Sequence, residues 1–336
     1  MSIKEIKNIT GFSTTTISRV LSGKSKEFRI ADATSRNILQ AAKKLHYRPN
    51  ILARSLRLKK TMTIGLIVSD IQNPFFGELA SRIENLCRQH GYSTILCNTN
   101  EIPENEELYL KILVDRHVDG IIITPIHTKE WAYMKSFVQN TPIILIDRIF
   151  LNTDLPWVTS ENMRAAESLT EELLGRGYQR IAFLGGTRGT YITNVRCEGY
   201  LNAHEKYGLK TNKNLMLFKG YSKDAGEAMM LEILNRSPDL EAVVCVNNLV
   251  FFGAIKAVNE LELKHQKRVM MAGFDINEFC ATSKRPVISA NQNLSEMTRS
   301  TVMMLLTQIS GSKIAEKHVT IPISIIKYRL NSLLPW

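Results

Sequence analysis

Cysteine and paired metal ligands are scarce in this sequence. Its five cysteines are scattered through 336 residues, at positions 87, 97, 197, 245 and 280, and no two of them form a CxxC pair. An odd number of scattered cysteines argues against a disulfide framework or a zinc site and favours buried free thiols. The seven histidines form no HxxxH pair, so the sequence predicts no metal site.

Long apolar runs and catalytic motifs are also missing. No apolar run approaches the roughly 18 residues of a membrane span, and the opening segment MSIKEIKNIT lacks the apolar core of a secretory signal. There is no GxSxG, HExxH or Walker motif, and the glycines of FLGGTRGT (183–190) do not fit the dinucleotide-binding pattern. We therefore expect a cytoplasmic protein that spans no membrane, uses no cofactor and is not an enzyme.

Positive charge is concentrated in the first sixth of the chain. Residues 1–60 contain 14 Lys and Arg against 3 Asp and Glu, a balance of +11 that equals the net charge of the whole chain. Residues 61–336 therefore hold 29 charges of each sign. A basic segment joined to a neutral body is typical of a nucleic-acid-binding module joined to a domain with another task.

The basic segment has the pattern of a helix-turn-helix unit. An apolar stripe over residues 3–9 is followed by Gly11, and a second helix is predicted to start at Ser13, whose hydroxyl suits the N-cap. A third apolar stripe over residues 38–45 can close a small three-helix core. In such units the second helix enters the major groove of DNA.

The second helix offers a polar face for DNA contacts. Its apolar residues Ile17, Val20 and Leu21 share one side, while Thr15 and Arg19 point the opposite way. An arginine there is suited to pair bidentately with a guanine. The residues of this helix predicted to contact DNA are Ser13, Thr14, Thr15, Thr16, Ser18 and Arg19.

A short basic linker follows the predicted third helix. Pro49 is expected to end that helix, because the residue before a proline disfavours helical backbone, and Asn50 can cap a new helix over residues 51–58. About two turns are too few to be stable alone, so we predict a hinge that folds only when DNA and a second copy hold it. Leu56, amid Arg54 and Arg57, can wedge between base pairs from the minor groove.

From Thr61 onward, short apolar runs alternate with helical segments. Continuous apolar runs indicate strands buried on both faces, as in parallel sheets. Together with the intervening helices they predict a doubly wound parallel-sheet α/β core of two lobes. The predicted strands lie within residues 63–69, 92–97, 120–124, 142–147, 181–185, 215–218, 242–246 and 269–274.

In such folds a ligand binds beyond the carboxyl ends of the strands. Most of these ends carry polar or aromatic residues, which suits a small polar ligand with a flat face held in a cleft between the lobes. The candidates are Ser69, Asp70, Asn73, Phe75, Phe76, Thr124, Asp147, Arg148, Asn247, Asn248, Asp275 and Gln292.

The sequence, with the motifs described above, resembles the lactose-repressor and purine-repressor family of bacterial transcriptional regulators over nearly its whole length. The most specific stretches are STTTISRVLSG (13–23), YRPNILARSLR (47–57), TIGLIVSDIQNPFF (63–76), VDGIIITP (118–125), IDR (146–148), GYQRIAFLGG (177–186), RCEGY (196–200), GFD (273–275) and NQN (291–293).

The resemblance implies a homodimer on a pseudo-palindromic operator and a core like that of periplasmic sugar-binding proteins. It implies a headpiece at 1–48, a hinge helix at 49–60 and a core at 61–336, with one lobe near 61–160 plus 291–320 and the other near 161–290 plus 321–336. In the hinge, the resemblance implies that Leu56, with its neighbour Ala53, contacts the minor groove. In the core, it implies that Arg196 and Asp275 bind the effector. It also implies an aromatic effector loop at Phe75 and Phe76 and a stacking contact between Tyr221 and the ligand.

The sequence departs from the family pattern in three places. The stretch KSKEFRIAD (24–32) is about three residues longer than the usual loop, which adds Lys26 and Arg29 near the DNA backbone. At the end of this loop, Ala31 replaces the usual capping serine, so Asp32 is expected to cap the third helix instead. Asn247-Asn248 replaces a common Asn-Asp pair, which removes a carboxylate that often grips sugar hydroxyls. Glu161-Asn162 replaces an Asp-Asn pair at the lobe crossover.

We therefore predict a dimeric DNA-binding repressor controlled by a small effector, with a sugar or sugar derivative favoured. The effector can act only through different affinity for two lobe arrangements. One alternative is a nucleobase or another non-sugar metabolite that acts as a corepressor. Two others are a ligand-binding transport receptor without a DNA function and an enzyme tethered to DNA.

Overall fold

The computed structural model describes residues 3–47, 60–126, 134, 137, 141–150, 153–265, 268–276 and 286–328. The chain forms two compact units, Met1–Thr61 and Met62–Trp336. We refer to residues 3–47 as the headpiece and to the described residues from Met62 onward as the core. The predicted hinge at 49–60, apart from Lys60, lies outside the described residues.

The headpiece contains three helices around a small apolar centre. They are α1 (Ile3–Thr10), α2 (Thr14–Leu21) and α3 (Asp32–Lys44). Gly11, with a φ of 73°, separates the first two helices, as the left-handed region favours glycine. The helix-turn-helix prediction is confirmed. The buried residues of this centre are Ile6, Ile17, Val20, Ile38, Ala41 and Ala42.

Both ends of α3 differ from the sequence-based expectation. The N-cap is Ala31, which makes no side-chain cap bond within the described headpiece, and Asp32 is already the first helical residue. The prediction that Asp32 caps the helix is therefore wrong, because a cap side chain must stand on the extended residue before the helix. At the other end α3 stops at Lys44, and His46 adopts a φ of 47°, so the helix ends before Pro49 rather than at it.

The core contains two six-stranded sheets. The first has the order β11-β5-β4-β3-β1-β2 and the second the order β12-β10-β9-β8-β6-β7. Among the described strand pairs, only β10 with β12 is antiparallel. The strands are β1 (Thr63–Val68), β2 (Ser93–Asn98), β3 (Gly120–Ile123), β4 (Ile143–Ile146), β5 (Trp157–Ser160), β6 (Ile181–Gly185), β7 (Met216–Phe218), β8 (Ala242–Cys245), β9 (Met270–Phe274), β10 (Val287–Gln292), β11 (His318–Ile321) and β12 (Ile323–Tyr328).

Helices connect these strands and cover the sheets, as in a doubly wound fold. Within the described residues no helix is both long and apolar enough to cross a membrane. The core helices are α4 (Pro74–Gln89), α5 (Pro103–Asp115), α6 (Asn162–Leu174), α7 (Tyr191–Lys206), α8 (Lys223–Arg236), α9 (Asn248–His265) and α10 (Leu294–Ile309).

The eight predicted strands are all present, but two of them are not buried on both faces. Strand β2 is an edge strand that leaves Leu96 46% exposed, and β7, at the edge of the other sheet, is half-buried throughout. The sequence-based prediction missed β5, β10, β11 and β12. Strands β11 and β12 are outer strands with mixed or alternating exposure, and such segments lack the continuous apolar run that marks a central strand.

The chain passes between the two sheets three times. It crosses after β5, returns after β10 and crosses again between β11 and β12. The first sheet with its helices is the first lobe, and the second sheet with its helices is the second lobe. Most of the candidate ligand residues lie in the loops at the carboxyl ends of these parallel strands or at the start of the helix that follows.

Candidate functional site

The outward face of α2 is the candidate DNA surface. Ile17 and Val20 are buried at 0% and 3% exposure, whereas Thr14, Thr15 and Arg19 are exposed. This is the separation of apolar and polar faces that the helical spacing predicts. Ser13 is exposed, and Thr16 and Ser18 are partly buried at the flanks.

A side-chain cap fixes the start of this surface. The backbone N–H of Thr16 donates to Ser13 Oγ over 3.1 Å, and the hydroxyls of the same two residues lie 2.9 Å apart. The cap satisfies one of the free N–H groups of the first turn. Arg29 is also exposed, in the loop before α3, with a φ of 50°. The hinge candidates Asn50, Ala53, Arg54, Leu56 and Arg57 lie outside the described residues.

In the core, Asp147 and Asp275 occupy equivalent positions in the two lobes. Each follows a central strand directly, β4 and β9 respectively, and each has a left-handed backbone, with φ values of 67° and 54°. This conformation is uncommon for residues other than glycine and tends to occur where a side chain is held for function. It turns the chain sharply at the point where the two lobes meet.

Asp147 is a buried carboxyl group beside two arginines. Burial raises its pKa from 3.8 to about 6, and nearby Arg196 and Arg148 oppose that rise. Its Oδ1 is buried and has no hydrogen-bond partner among the described residues. Such an atom is available to a ligand hydroxyl, which would satisfy it.

Arg148 is engaged in a bidentate ion pair. Its two terminal nitrogens donate to the carboxylate oxygens of Glu101 over 2.8 and 2.6 Å. Burial lowers the pKa of Arg148, but the pair with Glu101 outweighs it and leaves the pKa raised. The guanidinium group also lies 4.7 Å from the ring centre of Tyr221 in the second lobe and 5.7 Å from that of Phe76.

Arg196 is held from three sides in the second lobe. It is 2% exposed, donates to Asn162 Oδ1 over 2.9 and 2.6 Å and to the carbonyl oxygen of Val246, and stacks 3.6 Å over the ring of Phe274. Burial lowers its pKa, while Asp275 and Asp147 act in the opposite direction. The guanidinium plane is therefore fixed before any ligand arrives.

Asp275 is tied to Gln292 at the end of β10. The backbone and side-chain N–H groups of Gln292 donate to the two carboxylate oxygens of Asp275 over 2.9 and 2.8 Å. Burial raises the pKa of Asp275, while Arg196 and these two bonds lower it. These bonds orient the carboxylate.

A hydrogen bond between Asn73 and Asn248 joins the two lobes. Asn248 Nδ2 donates to Asn73 Oδ1 over 2.7 Å, and both residues are buried. The same Asn73 oxygen caps α4 by accepting from the N–H of Phe75, while Asn248 Oδ1 accepts from the N–H of Leu249. Each amide oxygen thus faces a backbone donor, which leaves Asn248 Nδ2 to bridge the lobes.

Tyr221 is anchored beneath the loop that follows β6. Its hydroxyl lies 2.5 Å from Thr190 Oγ1 and 2.8 Å from Thr193 Oγ1. A Cβ atom on Gly186 would stand 2.1 Å from the Tyr221 ring, so only glycine permits this packing. Gly186 of FLGGTRGT thus makes room for the Tyr221 ring.

Four other candidates lie at the edge of the site or beneath it. Phe75 and Phe76, which the resemblance placed on an aromatic effector loop, lie in the first turn of α4 and belong to the apolar core of the first lobe, in line with the helix that the sequence pattern predicts over Phe75–His90. Thr124 is fully buried with its hydroxyl 3.0 Å from Ser69 Oγ, and Asp70 accepts from the N–H of Gln72.

Sequence reasoning did not select Glu101, Asn162, Thr190 and Thr193 as site residues. Glu101 follows β2 and lies at the carboxyl end of a parallel strand, so the rule that selected Asp70 and Thr124 would have found it. Asn162 was noted only as part of a departure from the family pattern. The threonines contact Tyr221 from a loop and a helix, and no pattern in the sequence connects them.

The described residues contain no group of three or more His, Cys, Asp or Glu side chains placed to hold a metal ion. Cys87, Cys97 and Cys245 are buried free thiols, and Cys197 is partly buried; Cys280 lies outside the described residues. The core site is therefore a set of fixed hydrogen-bonding groups with aromatic rings.

Both units match known families. Residues 2–50 match the bacterial regulatory proteins of the lacI family, and residues 61–327 match the periplasmic binding proteins and sugar binding domain of the LacI family. A ribose operon repressor of Halalkalibacterium halodurans is 32% identical over 274 residues, which cover 82% of this chain and 80% of that relative. The HTH-type transcriptional repressor PurR of Histophilus somni (strain 2336) is 28% identical over 310 residues, 92% of each chain.

A solved structure shows the same fold. The lac repressor dimer bound to operator and the anti-inducer ONPF superposes with a TM-score of 0.86 and 20% identity, covering 98% of both chains. The match over residues 61–327, together with that over 2–50, covers nearly the whole sequence. This chain belongs to the LacI family of bacterial transcriptional regulators, with a DNA-binding headpiece and an effector-binding core.

Proposed function

We propose that this protein is a dimeric repressor that reads its operator with α2 and changes its affinity for DNA when a neutral sugar binds in the core. The observation that carries the DNA-reading part is the surface of α2, which buries Ile17 and Val20 and exposes Thr15 and Arg19. Two similar proteins are named repressors, which supports repression, rather than activation, as the effect of DNA binding.

In the DNA complex, Arg19 pairs with a guanine in the major groove, and Thr15 contacts a neighbouring base edge. Ser13, Thr14, Thr16 and Ser18 contact bases or phosphates around them. Lys26 and Arg29 add phosphate contacts from the long loop. Asn50, Ala53, Arg54, Leu56 and Arg57 act at the centre of the site, where Leu56 kinks the duplex from the minor groove.

Charge in the core favours a neutral ligand. The carboxyl groups of Asp147, Asp275 and Glu101 outnumber the guanidinium groups of Arg148 and Arg196. Both arginines already donate hydrogen bonds to protein acceptors. A phosphate group would therefore be repelled by three carboxyl groups and would have to compete with these acceptors for the two guanidinium groups. A polyhydroxy compound, in contrast, matches carboxylate, amide and guanidinium groups with hydrogen bonds alone.

The ligand acts on the arrangement of the two lobes. Asn73 with Asn248 and Arg148 with Tyr221 join the lobes beside the candidate ligand residues. A ligand that bonds to Asp147 in one lobe and to Arg196 and Asp275 in the other favours one lobe arrangement, and it shifts the population by its difference in affinity. Asp70, Phe75, Phe76, Thr124 and Gln292 support these groups from the surrounding shell.

A planar nucleobase is the second candidate effector. The Arg148 guanidinium group lies over the face of the Tyr221 ring. A planar base that displaced this guanidinium group would stack on the same face of Tyr221. The resemblance of the sequence to the purine-repressor family is in line with this alternative.

Selection from a randomised duplex library, followed by filter binding over a range of salt concentrations, tests the DNA function. We expect one enriched duplex, strong salt dependence from phosphate contacts, and for Arg19→Ala a loss of about 1–3 kcal/mol of discrimination at one base pair. As a control, Lys26→Ala should weaken all duplexes alike and lower the salt slope by about 1. A transport receptor would show no preference for any duplex.

A thermal-shift screen tests the effector class. Ribose and other neutral sugars, ribose 5-phosphate and purine bases are compared, because a ligand that binds the folded state raises the unfolding midpoint. We expect a rise in the unfolding midpoint with a neutral sugar and a smaller rise with its phosphate. The ligand should be recovered unchanged after incubation, because we propose a cytoplasmic regulator that is not an enzyme. A shift with purine bases alone would select the second candidate.

A further inference from the structure

The base-reading arginine of the headpiece is stacked on an aromatic residue of the long loop. The guanidinium carbon of Arg19 lies 3.9 Å from the ring centre of Phe28, which remains 39% exposed. Phe28 belongs to KSKEFRIAD (24–32), the loop that is longer than the family pattern. The two side chains thus meet at the surface that α2 presents to DNA.

Backbone hydrogen bonds hold this loop in one compact turn. The backbone N–H of Lys24 donates to the carbonyl oxygen of Arg19 over 3.0 Å. The N–H of Phe28 donates to the carbonyl oxygen of Lys24 over 3.2 Å, and the N–H of Ile30 donates to that of Ser25 over 2.8 Å. Arg29 closes the turn with a φ of 50°, and the Ile30 side chain packs against the apolar centre of the headpiece. These bonds therefore fix the backbone from which the Phe28 side chain reaches Arg19.

A guanidinium group that stacks on a ring in this way can still donate hydrogen bonds from its edge. A guanidinium group donates in its own plane, and an aromatic ring covers only one face of that plane. Without a support, an exposed arginine samples many rotamers, and ordering it on DNA costs free energy. A ring that holds the plane in place lowers this cost for the bidentate contact with a guanine.

We infer that Phe28 is a positioning residue that aligns Arg19 for base reading, so that the long loop contributes to operator specificity without touching the base itself. This inference rests on the proposed role of Arg19. It assigns the extra loop length to the geometry of the recognition helix, in addition to the phosphate contacts of Lys26 and Arg29.

The test uses full-length protein, the selected duplex and a set of duplexes with single base-pair changes. Arg19→Ala first identifies the base pair at which discrimination depends on Arg19. Phe28→Ala should then reduce discrimination about two- to fivefold at that same base pair, the size expected from an exposed cation–π contact, and leave discrimination at other positions unchanged. Phe28→Leu keeps an apolar group without a π face and should behave like Phe28→Ala, whereas Phe28→Tyr should retain wild-type discrimination.

A double-mutant cycle separates positioning from a general structural role. In the Arg19→Ala background, Phe28→Ala should cause no further loss, and the thermal midpoint of the headpiece transition should be the same for Phe28→Leu and Phe28→Tyr. Lys26→Ala in the same loop is the matched control, because it should weaken every duplex equally.

Two results would overturn the inference while the function stands. In one, Arg19→Ala shows a position-specific loss but Phe28→Ala and Phe28→Leu do not. In the other, the Phe28 variants lose affinity evenly across all duplexes or remain harmful in the Arg19→Ala background. Failure of Arg19→Ala to affect any single base pair would instead reject the proposed role of Arg19 and, with it, that of Phe28.

Discussion

At the scale of single residues, the core site contains charged side chains that have lost most of their hydration. Asp147, Arg148 and Arg196 are 4%, 6% and 2% exposed. Buried charges are tolerated when they are paired or hydrogen-bonded, and removal of one partner leaves the other uncompensated. Glu101 and Asn162 supply those partners, which makes them as important to the geometry of the site as the arginines themselves.

Replacement of Arg196 tests the effector site directly. Arg196→Ala removes the group that bonds to Asn162 and stacks on Phe274, so we predict that the thermal shift and the DNA response to effector are both lost. Operator affinity without effector should be kept, because the headpiece is a separate unit. Filter binding with and without effector measures both quantities, and an unchanged response in this variant would place the effector elsewhere.

Asp147 should make stability depend on pH. Burial raises its pKa from 3.8 to about 6, so between these pH values the folded chain holds a proton that the unfolded chain has released. Stability therefore falls as pH rises from about 4 through about 6, by roughly 3 kcal/mol in all for a shift of this size, and about 1.4 kcal/mol of this loss lies above pH 5.

Asp147→Asn tests this assignment by removing the titration. We predict that the free energy of unfolding of this variant, from denaturant titrations at pH 5 and pH 8, changes less with pH than that of the wild type. Asp275 also has a raised pKa, so some pH dependence should remain. A wild-type stability that rises between pH 5 and pH 8, with Asp147→Asn unchanged in slope, would contradict the assignment.

At the scale of secondary-structure elements, side-chain caps distinguish the headpiece helices. Helix α2 is capped by Ser13, whereas α3 begins after Ala31 without a side-chain cap bond in the described headpiece. Helices α4 and α10 in the core are capped by Asn73 and Asn293. A cap contributes about 1 kcal/mol, and α2 has only eight residues, so this contribution is large for α2.

Two opposite substitutions test the caps. Ser13→Ala should destabilise the headpiece by about 1 kcal/mol, and Ala31→Ser should stabilise it by a similar amount because it adds the missing bond. Circular dichroism during thermal unfolding measures the first transition of the chain. If Ala31→Ser lowered the midpoint, the backbone before α3 would not be arranged as a cap.

Elements with a strong apolar pattern were predictable, and outer elements were not. Strands β3, β4, β8 and β9 are buried along their whole length, so their sequences are continuous apolar runs. Strand β12 pairs antiparallel with β10 and alternates in exposure. An alternating pattern over six residues is weak evidence without knowledge of its neighbour, because the neighbour decides which face is buried.

At the scale of the whole core, the two lobes are linked by three chain crossovers and by contacts between Asn73 and Asn248 and between Arg148 and Tyr221. These contacts join the groups that the effector would touch. On the proposed function, the lobe arrangement and the occupancy of the site are therefore coupled, and such a coupling is reciprocal.

Asn248→Asp tests the lobe contact, and it introduces the Asn-Asp pair that the family resemblance leads us to expect at positions 247 and 248. A carboxylate at this position would face Asn73 Oδ1, which is held as the cap of α4, so oxygen would oppose oxygen. We predict a more open core, seen as a larger radius of gyration in X-ray scattering without ligand. The control Asn248→Ala loses the bond without the repulsion and should change the radius less. A radius equal to that of the wild type in both variants would show that this bond does not hold the lobes.

The sequence by itself determined the charge division between residues 1–60 and the rest, the faces of α2, the cap at Ser13 and the central strands. These features depend on contacts within a few residues of the chain or on burial on both sides, and both leave periodic or compositional patterns. Only the tertiary structure decided the pairing of Arg148 with Glu101, the bond between Asn73 and Asn248, and the stack of Arg19 on Phe28. These pairs are separated by 47, 175 and 9 residues along the chain, and a sequence pattern cannot show which side chains the folded backbone brings into contact.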